Sequence, residues 1–195
     1  KYSIADPVVT TSLYERDDLS ADAEDSRLMT YKMLGVDGKI TQATALVFTP
    51  KTAPPAKGWP IVVWAHGTTG VADKCAPSQQ GLQGTQELLE RLLAEGYVVV
   101  APDYEGLGTA GSHPFLNLKS EAFSITDAVV AARNYLGNTT ENRWLVVGHS
   151  QGGQAALGAA QYASRAQLNY KGAIAVAPAS FLGSVLTLGE GSTKK

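Results

Sequence analysis

A serine lies between two glycines in a turn that the flanking sequence places between a strand and a helix. The turn is Gly148-His149-Ser150-Gln151-Gly152; it follows the apolar run Trp144-Leu145-Val146-Val147 and precedes the helix-forming segment Gln154-Ala155-Ala156-Leu157. A sharp strand-to-helix turn crowds its central residue, and glycines two positions away on both sides remove Cβ atoms that would clash. The turn lifts the Ser150 hydroxyl clear of the sheet, at the positive end of a helix. The pattern predicts a nucleophilic serine; the alternative is a glycine-rich turn with an incidental serine.

A serine hydroxyl is a weak nucleophile unless a general base removes its proton. In turns of this type the partners follow later in the chain, first an acid and then a histidine. No histidine follows His149 and no aspartate follows Asp127, and the later acids are Glu141 and Glu190. We expect His149 to pack beside Ser150 rather than to act on it. Either the chain is one piece of a longer polypeptide that supplies the base, or it is a non-catalytic relative. The first is favoured because the turn and the loop described next are intact.

A second segment, Trp64-Ala65-His66-Gly67-Thr68-Thr69-Gly70, has the composition of an oxyanion loop. Acyl transfer needs two hydrogen-bond donors aimed at the developing oxyanion. One is normally the backbone N–H after the nucleophile, here that of Gln151, and the other comes from a loop after a preceding strand. Thr69 is the first choice for this second donor, with Thr68 and Gly70 as alternatives.

Other titratable residues near these segments are expected to have structural roles. His66 is predicted to bond the loop backbone rather than to act in catalysis. Asp103 and Glu105 lie in a glycine-rich loop after a strand, and because they precede the serine we expect loop-structuring hydrogen bonds. His113, beside a proline, is read as a loop residue. Three scattered histidines make a poor metal site, so no metal is predicted.

The remaining pattern predicts the elements that must position these residues. The first two dozen residues are polar and are expected to form an irregular arm. Two strands joined at Asp37-Gly38 should form a hairpin, followed by alternating strands and helices in a mixed sheet with helices on both faces. Ser124 to Asp127 is either a capping box or the interior of a helix that starts near Ser120. The predicted strands are 29–34, 40–48, 61–65, 97–101, 144–147 and 172–177, and the predicted helices are 85–95, 121–136 and 151–166.

Composition excludes several functional classes. The chain has 195 residues, 44% of them hydrophobic and 17% charged, which is the balance of one globular domain. A net charge of -2 gives no electrostatic reason to bind nucleic acid or an anionic membrane. One cysteine and three histidines exclude a cysteine-rich zinc module and an internal disulfide framework. The chain begins with lysine and has no signal-peptide pattern, so we expect a processed or recombinant form.

Three motifs are informative together: Gly148-His149-Ser150-Gln151-Gly152-Gly153, Pro102-Asp103-Tyr104-Glu105-Gly106-Leu107-Gly108 and Asp73-Lys74-Cys75-Ala76-Pro77-Ser78. In combination they resemble the secretory lipase family, the lipase-A type found in fungi and bacteria. The resemblance covers about residues 60 to 180, and the loop at 66–70 is more similar to the bacterial members. It implies an α/β-hydrolase fold, a mixed and mostly parallel sheet with helices on both faces, incomplete in this chain. Residues 1–179 would be the N-terminal portion of the core and 180–195 the start of a cap region that is cut short.

The resemblance implies a carboxylesterase or triacylglycerol-lipase type of serine hydrolase, secreted or periplasmic and active in lipid degradation, that uses no cofactor. Its substrate would be a small-molecule or lipid ester, and Ser150 would form the acyl-enzyme. The acid and histidine would come from a missing C-terminal portion or a second chain. Cys75 is a candidate to form a disulfide with that portion. The alternatives are an acyltransferase or peptidase on the same fold, or a non-catalytic binding protein.

Overall fold

The computed structural model describes residues 2–16, 19, 21–82 and 84–176, which form one seven-stranded sheet with helices on both faces. The predicted cap region, 180–195, lies outside the described residues. None of the helices in the described ranges is long and apolar enough to cross a membrane. The strands are β1 Val8–Leu13, β2 Ala23–Leu34, β3 Ile40–Pro50, β4 Trp59–Ala65, β5 Val98–Pro102, β6 Thr140–His149 and β7 Asn169–Val176. The α-helices are α1 Pro77–Gln80, α2 Gln86–Ala94, α3 Leu118–Leu136 and α4 Gln151–Tyr162.

The strand order is β1-β2-β3-β5-β4-β6-β7, so the predicted mixed sheet is confirmed. β1, β2, β3 and β5 pair in antiparallel fashion, whereas β5, β4, β6 and β7 are parallel to one another. In the parallel half, Ala65 at the end of β4 is in register with Gly148 near the end of β6. Because the carboxyl ends of parallel strands meet at one edge, the two segments with predicted chemistry come together there.

The N-terminal segment differs from the prediction. Val8–Leu13 is a strand rather than part of an irregular arm, and Thr11 pairs with Met29 of β2. The β-branched run Val8-Val9-Thr10-Thr11 favours a strand, but nearby acidic residues obscured it. β2 also begins earlier than predicted, at Ala23. The hairpin between β2 and β3 is confirmed, with Gly38 at φ 80° and its N–H donating to the Gly35 carbonyl at 3.0 Å.

The helix boundaries follow from local capping. α3 begins at Leu118 because the Asn117 side chain accepts a hydrogen bond from the Ser120 N–H at 3.0 Å. Ser124 to Asp127 therefore lie inside the helix and do not form a capping box. α4 ends at Tyr162, and a short 3₁₀ helix continues to Ala166, so the predicted single helix over 151–166 is divided in two.

Two apolar layers hold the helices against the sheet. On one face α3 and α4 cover side chains of the central strands, including Met29, Tyr31, Ile61, Val63 and Val146. On the other face Leu89 and Leu93 of α2 pack with Phe48, Trp64 and Val99. With both faces covered, the central strands are rigid, and the loops at their carboxyl ends start from fixed positions.

Candidate functional site

Ser150 occupies a strained turn between β6 and α4. Its backbone has φ 58° and ψ −117°, a conformation that side-chain-bearing residues rarely adopt. Two backbone hydrogen bonds fix the turn: the Ser150 N–H donates to Val176 at 2.9 Å, and the Gln154 N–H donates to the Ser150 carbonyl at 3.1 Å. Within the described residues no group hydrogen-bonds to the Ser150 hydroxyl, which is half-buried. Among the described residues, the turn therefore presents a hydroxyl with no hydrogen-bond partner.

The glycines on both sides of Ser150 are required by close backbone packing. A Cβ on Gly148 would overlap the carbonyl oxygen of Gly152. A Cβ on Gly152 would overlap the carbonyl group of Ala65, at the end of β4. Neither contact involves a flexible side chain that could move aside. The glycines at these two positions are therefore needed because any Cβ would collide with neighbouring backbone.

The loop after β4 lies against this turn. A Cβ on Gly67 would lie 3.3 Å from the His149 carbonyl oxygen and 3.6 Å from Ser150 Cβ. Gln151 is the first residue of α4, and the first N–H groups of a helix have no partner within it. The loop and the helix start thus bring both predicted donor segments to the Ser150 side chain.

The predicted loop residues differ in environment. Thr68 is exposed, and Thr69 is half-buried with a hydroxyl that has no hydrogen-bond partner in the described residues. Gly70 has φ 121°, and a Cβ there would overlap the sulfur of Cys75, the only cysteine of the chain. Which of these residues donates the second hydrogen bond stays a prediction.

A cavity of about 640 Å³ adjoins the turn. Gly67, Thr69 and His149 form part of its wall, and Trp64, Leu82 and Leu88 give it an apolar side. The His149 side chain is exposed, so it lines this opening rather than packing in the interior. The cavity offers room for an apolar ligand group beside Gly148 and His149 of the serine turn.

His66 holds the loop after β4 in place, as predicted. Its Nδ1 lies 2.6 Å from the Gly67 carbonyl oxygen and its Nε2 lies 3.2 Å from the Asp103 carbonyl oxygen. Burial lowers the pKa of His66 to about 4, so at neutral pH the ring is uncharged and one nitrogen carries the proton. The shorter contact assigns that proton to Nδ1. Tyr104 stacks on the ring at 4.2 Å and donates its hydroxyl to the His66 carbonyl at 2.8 Å.

Asp103 ties two of the sequence motifs together. Its carboxylate accepts hydrogen bonds from Thr44 Oγ1 at 2.7 Å, from Ser78 N–H at 2.9 Å and from Ser78 Oγ at 2.5 Å. Burial raises the pKa of Asp103 to about 6, and these hydrogen bonds oppose that rise. Glu105 accepts from the Val36 N–H and from Ser120 Oγ. Both acids hold loops together, as the sequence predicts.

One buried cluster was missed by sequence reasoning. The Gln151 amide nitrogen lies 3.0 Å from Glu121 Oε1 and 3.1 Å from His113 Nε2. All three side chains are buried, and burial raises the pKa of Glu121 to about 7. His113 Nδ1 in turn lies 2.7 Å from the Glu105 carbonyl oxygen. The available signal was weak: Glu121 lies near the start of a helical stretch that is mostly, but not wholly, apolar. In the described ranges no group of acidic, histidine or cysteine side chains could hold a metal ion.

Solved structures with a similar fold include a lipase, an esterase and a putative hydrolase. Candida antarctica lipase A in its closed state superimposes with a TM-score of 0.72 at 24% identity, over 86% of this chain and 41% of that protein. The rice cell wall degrading esterase LipA from Xanthomonas oryzae gives a TM-score of 0.66 at 29% identity, over 81% of this chain and 46% of that protein. A putative hydrolase from Legionella pneumophila gives a TM-score of 0.65 at 23% identity, over 86% of this chain and 51% of that protein. The resemblance to lipase-type α/β-hydrolases that the motifs predict is confirmed.

The chain spans about half the length, or less, of these solved structures. No curated protein sequence matches it significantly. Residues 62–192 match the alpha/beta hydrolase family. This range includes the strained serine turn and the loop after β4. With two thirds of its length matched, the chain belongs to the alpha/beta hydrolase family.

Proposed function

We propose that this chain is the N-terminal catalytic portion of a serine carboxylester hydrolase. Ser150 Oγ attacks the ester carbonyl, and its proton passes to a histidine that acts as general base. The alcohol leaves with that proton, and water then releases the acyl group from Ser150. The observation that carries the proposal is the Ser150 backbone at φ 58°, held by glycine packing, with a hydroxyl that no described residue hydrogen-bonds.

The oxyanion site is proposed to consist of two backbone N–H groups. The first is that of Gln151, at the start of α4, where the helix dipole also favours negative charge. The second is that of Thr69, with Thr68 and Gly70 as the other candidates. The approach of Gly67 to the Ser150 side chain supports this arrangement, because it brings the loop within reach of a bound carbonyl group.

An ester with an apolar acyl or alcohol group is the proposed substrate. Trp64, Leu82 and Leu88 line the cavity that adjoins Gly148 and His149 of the serine turn, and an apolar group there would be removed from water. The rice cell wall degrading esterase, 29% identical, also supports an ester substrate and a site of action outside the cytoplasm.

The general base and its acid partner are proposed to lie on a C-terminal portion or a second chain. Two observations support this besides the order of the sequence. No side chain in the described ranges reaches the Ser150 hydroxyl. In addition, β7 forms an edge of the described sheet and exposes Ile174 and Val176, an apolar strand onto which further structure can pack. Cys75 remains a candidate for a disulfide to that portion.

Turnover of nitrophenyl esters tests the proposal. The complete protein should hydrolyse such esters, its Ser150→Ala variant should not, and the 195-residue chain alone should show negligible activity until a polypeptide with the histidine is added. Full activity of the isolated chain would refute the divided site. Parallel assays with amides and with alcohol acceptors separate a hydrolase of esters from a peptidase or an acyltransferase.

A further inference from the structure

The side chain of Gln151 is held at both of its amide hydrogens. One N–H points at Glu121 Oε1, 3.0 Å away, and the other at His113 Nε2, 3.1 Å away. His113 Nδ1 faces the Glu105 carbonyl oxygen at 2.7 Å, and a carbonyl oxygen only accepts, so Nδ1 carries the ring proton. Nε2 then faces the Gln151 amide as an acceptor. Each partner therefore matches a donor of the glutamine.

Gln151 is well placed to fix the start of α4 because the residues after it lack side chains. Gly152 and Gly153 follow directly, and the next side chain, Gln154, donates to the Leu116 carbonyl oxygen at 3.0 Å. The first turn of α4 is thus docked through two glutamines onto the segment that leads into α3. Of the two, only Gln151 carries the backbone N–H assigned to the oxyanion site.

Glu121 is an unusual partner for a merely structural contact. It is 1% exposed, it lies in the first turn of α3, and its second carboxyl oxygen is buried with no partner in the described residues. Leaving a carboxyl oxygen buried and unpaired is costly, so its retention calls for an explanation. The contact to Gln151 is the one hydrogen bond that the described residues give this carboxyl group.

We propose that Glu121 is a positioning residue: together with His113 it clamps the Gln151 amide and so aims the Gln151 backbone N–H at the oxyanion. This inference rests on the proposed esterase function. An oxyanion donor acts mainly in the transition state, so a loose clamp lowers kcat and leaves KM nearly unchanged. Displacement of such a donor by about 1 Å costs on the order of a hundredfold in rate.

The test measures kcat and KM for a nitrophenyl ester with four variants of the complete protein and one control variant. Glu121→Leu removes the acceptor and should lower kcat about tenfold to a hundredfold, with KM within about twofold. Glu121→Gln keeps a carbonyl oxygen at the same place and should restore kcat to within about threefold of wild type. Gln151→Met should match Glu121→Leu. The double variant should lose no more than either single variant, because both remove the same clamp.

Gln154→Met is the matched control, since it removes the other amide that docks α4 but not the residue that carries the proposed N–H. It should keep kcat within about threefold of wild type, while its thermal stability falls about as much as that of Glu121→Leu.

The inference is overturned if Glu121→Leu and Gln154→Met lower kcat equally, or if Glu121→Gln is as impaired as Glu121→Leu. It is also overturned if the kcat losses of Glu121→Leu and Gln151→Met multiply in the double variant. An inactive wild-type protein would overturn the proposed function and this inference with it, whereas an active wild type with an equally active Glu121→Leu variant would overturn the inference alone.

Discussion

Two turns at the carboxyl edge of the sheet hold a side-chain-bearing residue at positive φ, and they do so by different means. Ser150, after β6, has φ 58°, and its conformation is enforced by backbone packing through Gly148 and Gly152. Tyr104, after β5, has φ 76°, and its own side chain holds it: the ring stacks on His66 and the hydroxyl donates to the His66 carbonyl. The first turn leaves its side chain without a hydrogen bond to any described residue, whereas the second uses its side chain as the anchor.

Because of this difference, the Ser150 turn is suited to chemistry and the Tyr104 turn is suited to holding neighbouring loops in place. A hydroxyl that carries no structural hydrogen bond can change partners during a reaction without loss of the fold. Tyr104 and the preceding Asp103 are fully buried and committed to neighbouring segments, so they keep the loop after β4 in place beside Ser150. Changes to the two turns should therefore have different consequences for activity and for stability.

Gly152→Ala should have the largest effect, on both properties. The new Cβ would overlap the backbone of Ala65, and because backbone on each side must shift, we expect a loss of about 3 kcal/mol or more in the free energy of unfolding. Ester turnover by the complete protein should fall at least about a hundredfold, since the turn that presents Ser150 is displaced. Urea unfolding and turnover of a nitrophenyl ester measure the two losses.

Gly38→Ala is the control for that experiment. Gly38 has φ 80° and open space around it, so only the conformational cost of about 1 kcal/mol applies, and activity should be retained. Equal stability of the two variants would contradict the steric account of the serine turn.

Asp103→Asn should change the pH dependence of stability. Burial raises the pKa of Asp103 to about 6, so the folded protein holds this proton more tightly than the unfolded chain. The stability that this protonated carboxyl group contributes is fully present below about pH 4 and is lost as pH rises to about 6. The change is at most about 3 kcal/mol in the free energy of unfolding. The wild type should therefore lose stability relative to Asp103→Asn over this range. Glu121 and His66 titrate in both proteins and cancel in the difference.

Urea unfolding of both proteins at pH 4, 5, 6 and 7 gives that difference as a function of pH. A constant difference would mean that Asp103 titrates in the folded protein as it does in the unfolded chain, and the burial argument would fail.

Tyr104→Phe should have the smallest effect and should act on stability alone. The variant keeps the stacked ring but removes the hydroxyl, which leaves the buried His66 carbonyl without this donor at a cost of about 1 to 2 kcal/mol. Turnover should stay within about threefold of wild type. Tyr162→Phe is the control, because the Tyr162 hydroxyl has no hydrogen bond in the described ranges, and it should change stability by less than about 0.5 kcal/mol. A larger loss of turnover in Tyr104→Phe than in Gly152→Ala would reverse the proposed division between the turns.

Features encoded by short segments were predictable from the sequence. The serine turn, the hairpin at Gly38 and the central strands depend on glycine spacing and on apolar runs that are visible within about ten residues. Strand β1 was missed although its β-branched run is local, because the acidic residues that follow it suggested an irregular arm. The sequence left open whether Ser124 to Asp127 form a capping box or lie inside a helix that starts near Ser120, and the Asn117 cap decides for the helix interior.

The Glu121–Gln151–His113 cluster could not be predicted in this way. Its members are separated by as many as 38 residues and meet only when α3 packs against α4. The bond between Asp103 and Ser78 has the same character, since two motifs 25 residues apart meet across the loop after β4. Sequence indicated that Asp103 holds a loop but not which partner it holds.

Labelling by a fluorophosphonate probe tests the central claim most directly, because the probe reacts with a serine only when a base activates it. The complete protein should gain one covalent adduct, located on the peptide that contains Ser150, and the Ser150→Ala variant should gain none. A complete protein that stays unlabelled, or an adduct at another serine, would contradict the account.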